Sequence, residues 1–240
     1  MNFWTRGFSL GAALLFPLWV WAQGQEALIR KNLSDRIPQL PKIEEISRTP
    51  MNGLFEVRLQ TNELYYTDAE GNFLITGQLI ETRTRRNLTE ERENKLNAID
   101  FSTLPLKDAI TLVRGQGRRK LAVFEDPNCG FCRRFERDLA KVDDVTVYVF
   151  LYPVLGPDSM EKSKAVWCAK DPAAAWVALM TREQAPSAGN CNTAAIERNL
   201  EFGRKHKITG TPTLVAVNGQ RVPGAINTAQ IEKLLADAAR

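Results

Sequence analysis

Two cysteines separated by two residues carry the clearest chemistry in this sequence. Cys129 and Cys132 stand in FEDPNCGFCRRFERDLA, between an apolar run typical of a buried strand and a pattern typical of a helix. A helix that begins here presents its unpaired amides and the positive end of its dipole to the first sulfur. Because only a thiolate attacks a disulfide, this position favours Cys129 as the nucleophile of thiol–disulfide exchange.

Cys132, one helical turn later, would close back on Cys129 and release a trapped mixed disulfide. Arg133 and Arg134 add positive charge, although solvated helix residues explain them at least as well. A zinc site would need a second ligand pair, but the other cysteines lie far along the chain and His206 is the single histidine. A purely structural disulfide across so short a loop returns little chain entropy. The pair therefore predicts a redox couple that uses no metal and no cofactor.

The other two cysteines, Cys168 and Cys191, lie far apart within a helical segment. A disulfide that closes a loop of this length contributes roughly 3 kcal/mol in the chain-entropy model. The alternative is a second redox pair, but neither cysteine has an evident resolving neighbour. The spacing therefore favours a structural disulfide.

Thr211 and Pro212 stand just before an apolar run, TLVAV, that predicts a strand. A peptide bond before proline is rarely cis, and proline is common at the first residue of a strand. These two residues by themselves indicate a turn.

The elements that must position these residues follow an α/β pattern from Lys120 onward. KLAVFE and VTVYVFLYP predict two buried strands, and the stretch from Cys129 to Lys141 predicts the helix between them. TPTLVAVNGQRV predicts two further strands joined by the hairpin signal Asn218-Gly219. The other elements predicted after Lys120 are helices. One helical stretch runs from Met160 to Lys207 and is interrupted near Pro172 and by APSAGN, and a closing helix runs from Thr228 to Ala238.

The earlier part of the chain is richer in strand patterns. Gln23 to Leu33 predicts a short amphipathic helix, and LFEVRLQ alternates apolar and polar residues as a half-buried strand does. Two more β-rich runs flank the turn signal at residues 68–72. Thr89 to Ile99 is rich in charge and predicts a connecting helix. Because the unit that ends near Arg85 is too small to bury much core alone, it predicts pairing with a second copy.

The first 22 residues predict a signal peptide. Arg6 gives a positive start, the run from Gly7 to Trp21 is nearly all apolar, and the residues up to Ala22 resemble a cleavage site before Gln23. A membrane anchor is the alternative, but this run is shorter than the roughly 20 residues that span a bilayer. No later segment is apolar for long enough. We therefore expect an exported protein that is not embedded in a membrane, in a compartment where disulfides persist.

The charge of the chain excludes one class of partner. A formal charge of +4 is spread over 32 basic and 28 acidic residues, without an interleaved basic and aromatic stripe. Nucleic acid attracts such stripes, so no nucleic-acid partner is expected. The chain thus divides into residues 1–22 as signal peptide, 23–85 as first domain, 86–110 as linker helix and 111–240 as catalytic domain.

Four stretches resemble the periplasmic disulfide isomerases and reductases of the DsbC/DsbG type, and the DsbC branch more closely than the DsbG branch. They are FEDPNCGFC, KAVWCAKDPAAAW, TGTPTLVAVNGQRVPG and NELYYTDAEGNFLITGQLIE, and together the resemblance covers nearly all of the chain after residue 22. It implies a strand-rich, cystatin-like α+β N-terminal dimerisation domain, followed by an α/β thioredoxin fold with a helical insertion. It also implies a V-shaped homodimer whose arms face an apolar cleft.

The same resemblance implies roles for individual residues. Cys129 and Cys132 would be the catalytic couple, with Gly130 and Phe131 as the active-site loop between them. Pro212 would be cis and pack beside Cys129. The Thr211 backbone would pair with extended substrate by strand addition. The family's structural disulfide would correspond to Cys168 with Cys191.

Two positions depart from the family pattern. The isomerases usually carry Gly-Tyr between the redox cysteines, whereas Gly130 is here followed by Phe131, so a hydroxyl is missing. The general thioredoxin pattern has a buried acid six residues before the first cysteine, and that position is Val123 here. Proton transfer must then use another route, for which Glu125 is the candidate.

The expected function is thiol–disulfide isomerisation of misoxidised exported proteins in the periplasm, with a membrane reductase of the DsbD type keeping the couple reduced. Gly130 rather than proline after Cys129 favours this branch over a DsbG-like reductase of sulfenylated cysteines. A chaperone that holds unfolded chains in an apolar cleft is an alternative or an additional activity. A net oxidase is a third alternative and predicts a monomer held oxidised.

Overall fold

The computed structural model describes residues 19–187 and 189–239. The chain divides into two compact units, of which the first ends at Glu93 and the second begins at Asn94. The predicted signal peptide, residues 1–22, lies outside the described residues apart from its last four, which begin the first helix. Within the described ranges, no helix is long and apolar enough to cross a bilayer.

The first unit packs a helix against a three-stranded antiparallel sheet of order β1-β2-β3. The alternation in LFEVRLQ has the predicted result, because Phe55, Val57 and Leu59 are buried and the residues between them are partly exposed. Ile29 and Leu33 of the helix complete this core. The elements are α1 (Trp19–Arg36), β1 (Ile43–Arg48), β2 (Phe55–Leu59) and β3 (Leu64–Thr67).

A small hairpin, β4 (Ile80–Glu81) and β5 (Arg86–Asn87), leads into helix α2 (Leu88–Leu96). The predicted linker helix over residues 86–110 is wrong in extent, because α2 is short and residues 97–109 hold only two 3-10 turns. The Asp100 side chain accepts the Ser102 amide and starts the first of these turns. Proline is unfavourable inside a helix, so the proline at the start of the second turn prevents a continuous helix.

The second unit is built on a five-stranded sheet of order β10-β9-β7-β8-β6. Strands β7 and β8 are parallel, and β6, β9 and β10 run antiparallel to their neighbours. This is the order of a thioredoxin fold with one added edge strand. The strands are β6 (Ile110–Arg114), β7 (Arg119–Glu125), β8 (Val145–Leu151), β9 (Thr213–Ala216) and β10 (Arg221–Pro223).

Five helices flank this sheet. The predicted helical stretch between β8 and β9 consists of three helices, because Pro172 begins a new one with Asp171 as its N-cap. A disulfide joins Cys168, at the end of the first of these helices, to Cys191, just before the third. The helices are α3 (Gly130–Leu139), α4 (Pro157–Trp167), α5 (Pro172–Arg182), α6 (Ala194–Lys205) and α7 (Thr228–Ala238).

Helix α3 buries one face against the sheet and against α5 and α7. Cys132, Phe135, Glu136 and Leu139 recur at the spacing of one helical face, and all four are buried. Strand β7 is buried over its last five residues because it lies at the centre of the sheet. The start of α3 is therefore held at the end of the most enclosed strand of the unit.

Candidate active site

Cys129 caps the N-terminus of α3, where the sequence placed the nucleophile. It is extended in backbone conformation, and its Sγ accepts the backbone amide of Cys132 at 3.3 Å. Its own amide donates to the Asp126 carbonyl at 3.0 Å, which closes the tight turn between β7 and α3. The side chain is only 5% exposed. One sulfur thus occupies the place that a capping oxygen fills in other helices.

These contacts lower the pKa of Cys129 from its ordinary 9.0 to about 5. The largest cause is the hydrogen bond from the Cys132 side chain, against which burial acts in the opposite direction. The Thr211 side chain and the amides of Cys132 and Phe131 stabilise the thiolate further. At neutral pH this sulfur is therefore a thiolate, the form that attacks disulfides.

Cys132 lies in the opposite environment. It is fully buried, and burial raises its pKa far above the ordinary value of a thiol. The hydrogen bond that it gives to Cys129 raises that pKa further, and Glu125 does so too whenever its carboxyl group is ionised. Both cysteines are free, and at neutral pH these pKa shifts leave Cys129 as a thiolate beside the buried Cys132 thiol.

The loop before β9 brings Thr211 to the nucleophile. The Thr211–Pro212 peptide bond is cis, the isomer that the family resemblance implied and that the two residues alone did not. The Thr211 carbonyl oxygen lies 3.3 Å from Cys129 Sγ, where it accepts a hydrogen bond from the protonated thiol. Antiparallel pairing of β9 with β7 places this loop beside the start of α3.

Exposed apolar side chains lie at the site on α3 and on the loop after β8. The predicted active-site loop of Gly130 and Phe131 is instead the first turn of α3, because the helix begins directly after its cap Cys129. Phe131 is 66% exposed there, and Val154 and Leu155 after β8 are also exposed. The backbone amides of Val154 and Leu155 donate to one carboxylate oxygen of Asp126, at 2.8 and 2.9 Å. These two hydrogen bonds hold the loop after β8 against the turn that precedes α3. The surface around Cys129 is therefore apolar in part.

Asp126 was not predicted from the sequence to belong to this site. Its buried carboxylate accepts from the Asn128 amide at 2.8 Å and from the Ser159 hydroxyl at 2.7 Å, besides the loop after β8. The signal for the local part of this network is the Asp-Pro-Asn sequence, typical of a turn closed by an aspartate side chain. Nothing in the sequence indicated the long-range partners in the loop after β8 and in α4.

Two buried carboxyl groups lie next to the couple. Glu125 is the last residue of β7 and is fully buried, and Val123 on the same strand packs in the apolar core. Burial, followed by the charge of Glu136, raises the pKa of Glu125 well above its ordinary value. Glu136, one turn beyond Cys132 on α3, was not singled out from the sequence. Within residues 19–187 and 189–239, no group of three or more metal-ligating side chains could hold a metal ion.

Two family models match the chain. A thioredoxin-like domain matches residues 106–239, and the N-terminal domain of the disulfide bond isomerase protein matches residues 21–90. The first match covers the five-stranded sheet of the second unit, together with Cys129 and Cys132. The second covers the strand-rich first unit. These matches bear out the predicted fold class of both parts.

Relatives and a solved structure agree with the models. The chain is 44% identical to a probable thiol:disulfide interchange protein DsbC of Bordetella parapertussis, over 80% of this chain and 68% of the relative. It is 29% identical to the DsbC of Escherichia coli K12, over 91% and 90% of the two chains. The crystal structure of a disulfide interchange protein from Neisseria gonorrhoeae is 37% identical, with a TM-score of 0.55 and coverage of 57% of this chain and 99% of that one. The chain therefore belongs to the DsbC family of thiol:disulfide interchange proteins and is a thiol–disulfide oxidoreductase.

Proposed function

We propose that the protein rearranges incorrect disulfides in exported proteins of the periplasm, with Cys129 and Cys132 as its redox couple. The observation that carries the proposal is the contrast between the two sulfurs. Cys129 has its pKa lowered to about 5, whereas burial raises that of Cys132. The first is ready to attack a substrate at neutral pH, and the second stays protonated until it is needed.

The reaction begins when the Cys129 thiolate attacks one sulfur of a substrate disulfide. A bond forms between Cys129 and that sulfur, and the other substrate sulfur leaves as a thiolate. In isomerisation a different substrate thiolate then attacks the mixed disulfide and sets Cys129 free. In reduction Cys132 attacks Cys129 instead, and the closed couple must be reduced again, a step that we assign to a membrane reductase of the DsbD type.

Two features support a protein substrate. We propose that the backbone at Thr211 and Pro212 pairs with an extended substrate segment beside Cys129, since the Thr211 carbonyl already lies at the nucleophile. The exposed side chains of Phe131, Val154 and Leu155 supply apolar contact next to this segment. Because strand addition uses main-chain groups, it accepts many sequences, as an isomerase requires.

We also propose that the protein works as a homodimer. The first unit matches the N-terminal domain of the disulfide bond isomerase protein, and it exposes the apolar side chains of Met51, Phe73, Ile75 and Ile80. We propose that a second copy of the unit covers these side chains. Light scattering at micromolar concentration should give twice the chain mass, and Phe73→Glu should lower that mass. A monomeric mass for the unaltered protein would contradict the dimer.

Refolding of a scrambled protein with several disulfides tests the function. The unaltered protein should restore activity of the scrambled substrate, Cys129→Ala should not, and Cys132→Ala should retain a part because it still has the nucleophile. A fully reduced substrate serves as the control for holding of unfolded chains. Equal recovery by the unaltered protein and by Cys129→Ala would instead identify a chaperone and refute the isomerase.

A further inference from the structure

Glu125 lies beside the two cysteines and Glu136 lies beside Glu125, on two different elements of the fold. Glu125 ends β7 and directly precedes the loop that carries Cys129. Glu136 lies four residues after Cys132 on α3, so both side chains lie on the same face of the helix. Both carboxyl groups are fully buried, and Glu125 interacts electrostatically with Glu136 and with both cysteines.

The hydrogen bonds of this pair are incomplete. The Trp176 indole on α5 donates to one oxygen of Glu136 at 2.8 Å. The other oxygen of Glu136 and both oxygens of Glu125 accept no hydrogen bond from any other described residue, and the side-chain hydrogen bond of Glu125 is with Glu136 itself. Two ionised carboxylates cannot be kept together in such a site, because each lacks water and each repels the other. The pair therefore holds a proton, and the single donor on Glu136 places it on Glu125.

Such a buried pair of carboxyl groups lowers the stability of the folded protein. Apolar side chains of similar size would pack in the same place without a buried charge, and replacements of this kind are often neutral or stabilising. The pair adds no ion pair, because no cation contacts it in the described part of the chain. Its chemistry is best accounted for by its neighbour, the buried Cys132 thiol, which must lose a proton before it attacks.

We propose that Glu125 and Glu136 act together as the proton acceptor for Cys132 when this thiol resolves a mixed disulfide on Cys129. The inference rests on the proposed function, since it concerns the same couple. Glu125 takes the place of the acid that is absent at Val123, and Glu136 with its Trp176 contact keeps one negative charge in the pair.

The step balances in atoms and electrons. The Cys132 proton passes to the pair, which then holds two protons and no charge. The Cys132 sulfur forms a bond with Cys129 Sγ, and the bond from Cys129 to the substrate sulfur breaks. That sulfur leaves with the electron pair as a thiolate. When a dithiol later reduces the couple, the Cys132 sulfur leaves as a thiolate and recovers its proton from the pair.

Reaction with dithiobis(nitrobenzoate) separates this step from the rest of the cycle. Attack by Cys129 releases one coloured thiolate, and closure by Cys132 releases the second, so the two phases report the two sulfurs. In Glu125→Gln and in Glu136→Gln we expect the second phase to slow by about tenfold to a hundredfold near neutral pH. The first phase should stay within about twofold, and the slowed phase should recover as pH rises and solvent base takes the proton.

Asp108→Asn is the matched control, because Asp108 is a buried carboxyl of the same unit that pairs with Arg198 instead. It should leave both phases unchanged. A normal first phase and an unaltered circular dichroism spectrum show that each variant is folded. A second phase that stays within twofold of normal at every pH in both Gln variants would overturn the inference.

The assay keeps this inference apart from the proposed function. It uses a small disulfide, so it does not depend on rearrangement of a protein substrate. If closure is slow in the Gln variants but the unaltered protein does not rescue a scrambled substrate, the proton-acceptor role of the pair is supported and the isomerase function is refuted. If the unaltered protein rescues the substrate but closure is unchanged in both Gln variants, the isomerase function is supported and the proton-acceptor role is refuted.

Discussion

Cys129 and Cys132 lie one helical turn apart at the start of α3, and their surroundings move their pKa values in opposite directions. The first sulfur accepts the amide of the second residue at 3.3 Å, and the side-chain contact between them favours charge on Cys129. The same contact, together with burial, opposes charge on Cys132. At neutral pH Cys132 therefore holds a proton and Cys129 does not. The proposed reaction depends on this difference, because Cys129 attacks first and Cys132 attacks later.

The contact between the two sulfurs predicts the effect of removing one of them. Cys132→Ala should raise the pKa of Cys129 above its value of about 5, because the largest cause of the lowering is the hydrogen bond from that side chain. The thiolate absorbance of the variant, followed as pH rises, measures this shift. Ser at position 132 is the matched control and should keep a lower pKa than Ala. A midpoint that is the same in the variant and in the unaltered protein would show that the amides alone stabilise the charge.

Glu125 predicts how stability depends on pH. Its pKa is raised in the folded protein, whereas in the unfolded chain it ionises near the ordinary 4.5. The folded state therefore keeps a proton that the unfolded state loses, and the free energy of unfolding falls as pH rises from 4.5 through the raised pKa. Urea unfolding of the oxidised protein between about pH 5 and 8 measures this slope without titration of the couple.

Glu125→Gln should flatten that slope, because the carboxamide does not ionise. Exposed Glu197 provides the control, since Glu197→Gln should retain the slope of the unaltered protein. If Glu125→Gln and the unaltered protein lost stability in parallel as pH rose, the raised pKa of Glu125 would be refuted.

Asp126 predicts a large loss of stability. Asp126→Ala leaves the amides of Val154 and Leu155 and the Ser159 hydroxyl without their acceptor, and it should cost on the order of 3 kcal/mol or more. Ser159→Ala removes one donor only and should cost about 1 kcal/mol. Urea unfolding of both variants gives the comparison. Similar losses for the two would mean that the Asp126 carboxylate does not join the loops.

The disulfide between Cys168 and Cys191 closes a loop of 23 residues in sequence separation. Replacing both cysteines by Ala should lower the free energy of unfolding by roughly 3 kcal/mol, since the unfolded chain regains the closed loop's entropy. The assay compares the two proteins with Cys129 and Cys132 reduced in each. An unchanged unfolding midpoint would show that this disulfide does not stabilise the unit.

The sequence predicted those parts of the fold and of the site that depend on local patterns. The period-2 burial of β2, the hairpin at Asn218-Gly219 and the Cys129 cap are each set by a few neighbouring residues. No strand was predicted at β6, because its place at the sheet edge depends on pairing with β8. Strand β1 was likewise not recognised, since its register is fixed by β2.

The parts of the site that could not be predicted depend on long-range contacts. In the sequence Glu136 is one of several charged residues of an amphipathic helix, and only the fold buries it beside Trp176. The position of Thr211 beside Cys129 depends on antiparallel pairing between strands far apart in the chain. The family resemblance, rather than the residues themselves, indicated the cis bond before Pro212.

Titration of the Cys129 thiol tests the central claim most directly. The rate of alkylation of the reduced protein by iodoacetamide reports this sulfur, because Cys132 is fully buried. We expect the rate to rise with a midpoint of about pH 5 and to be constant through neutrality. A rate that keeps rising with pH toward a midpoint of 9.0, the ordinary value of a thiol, would contradict the account.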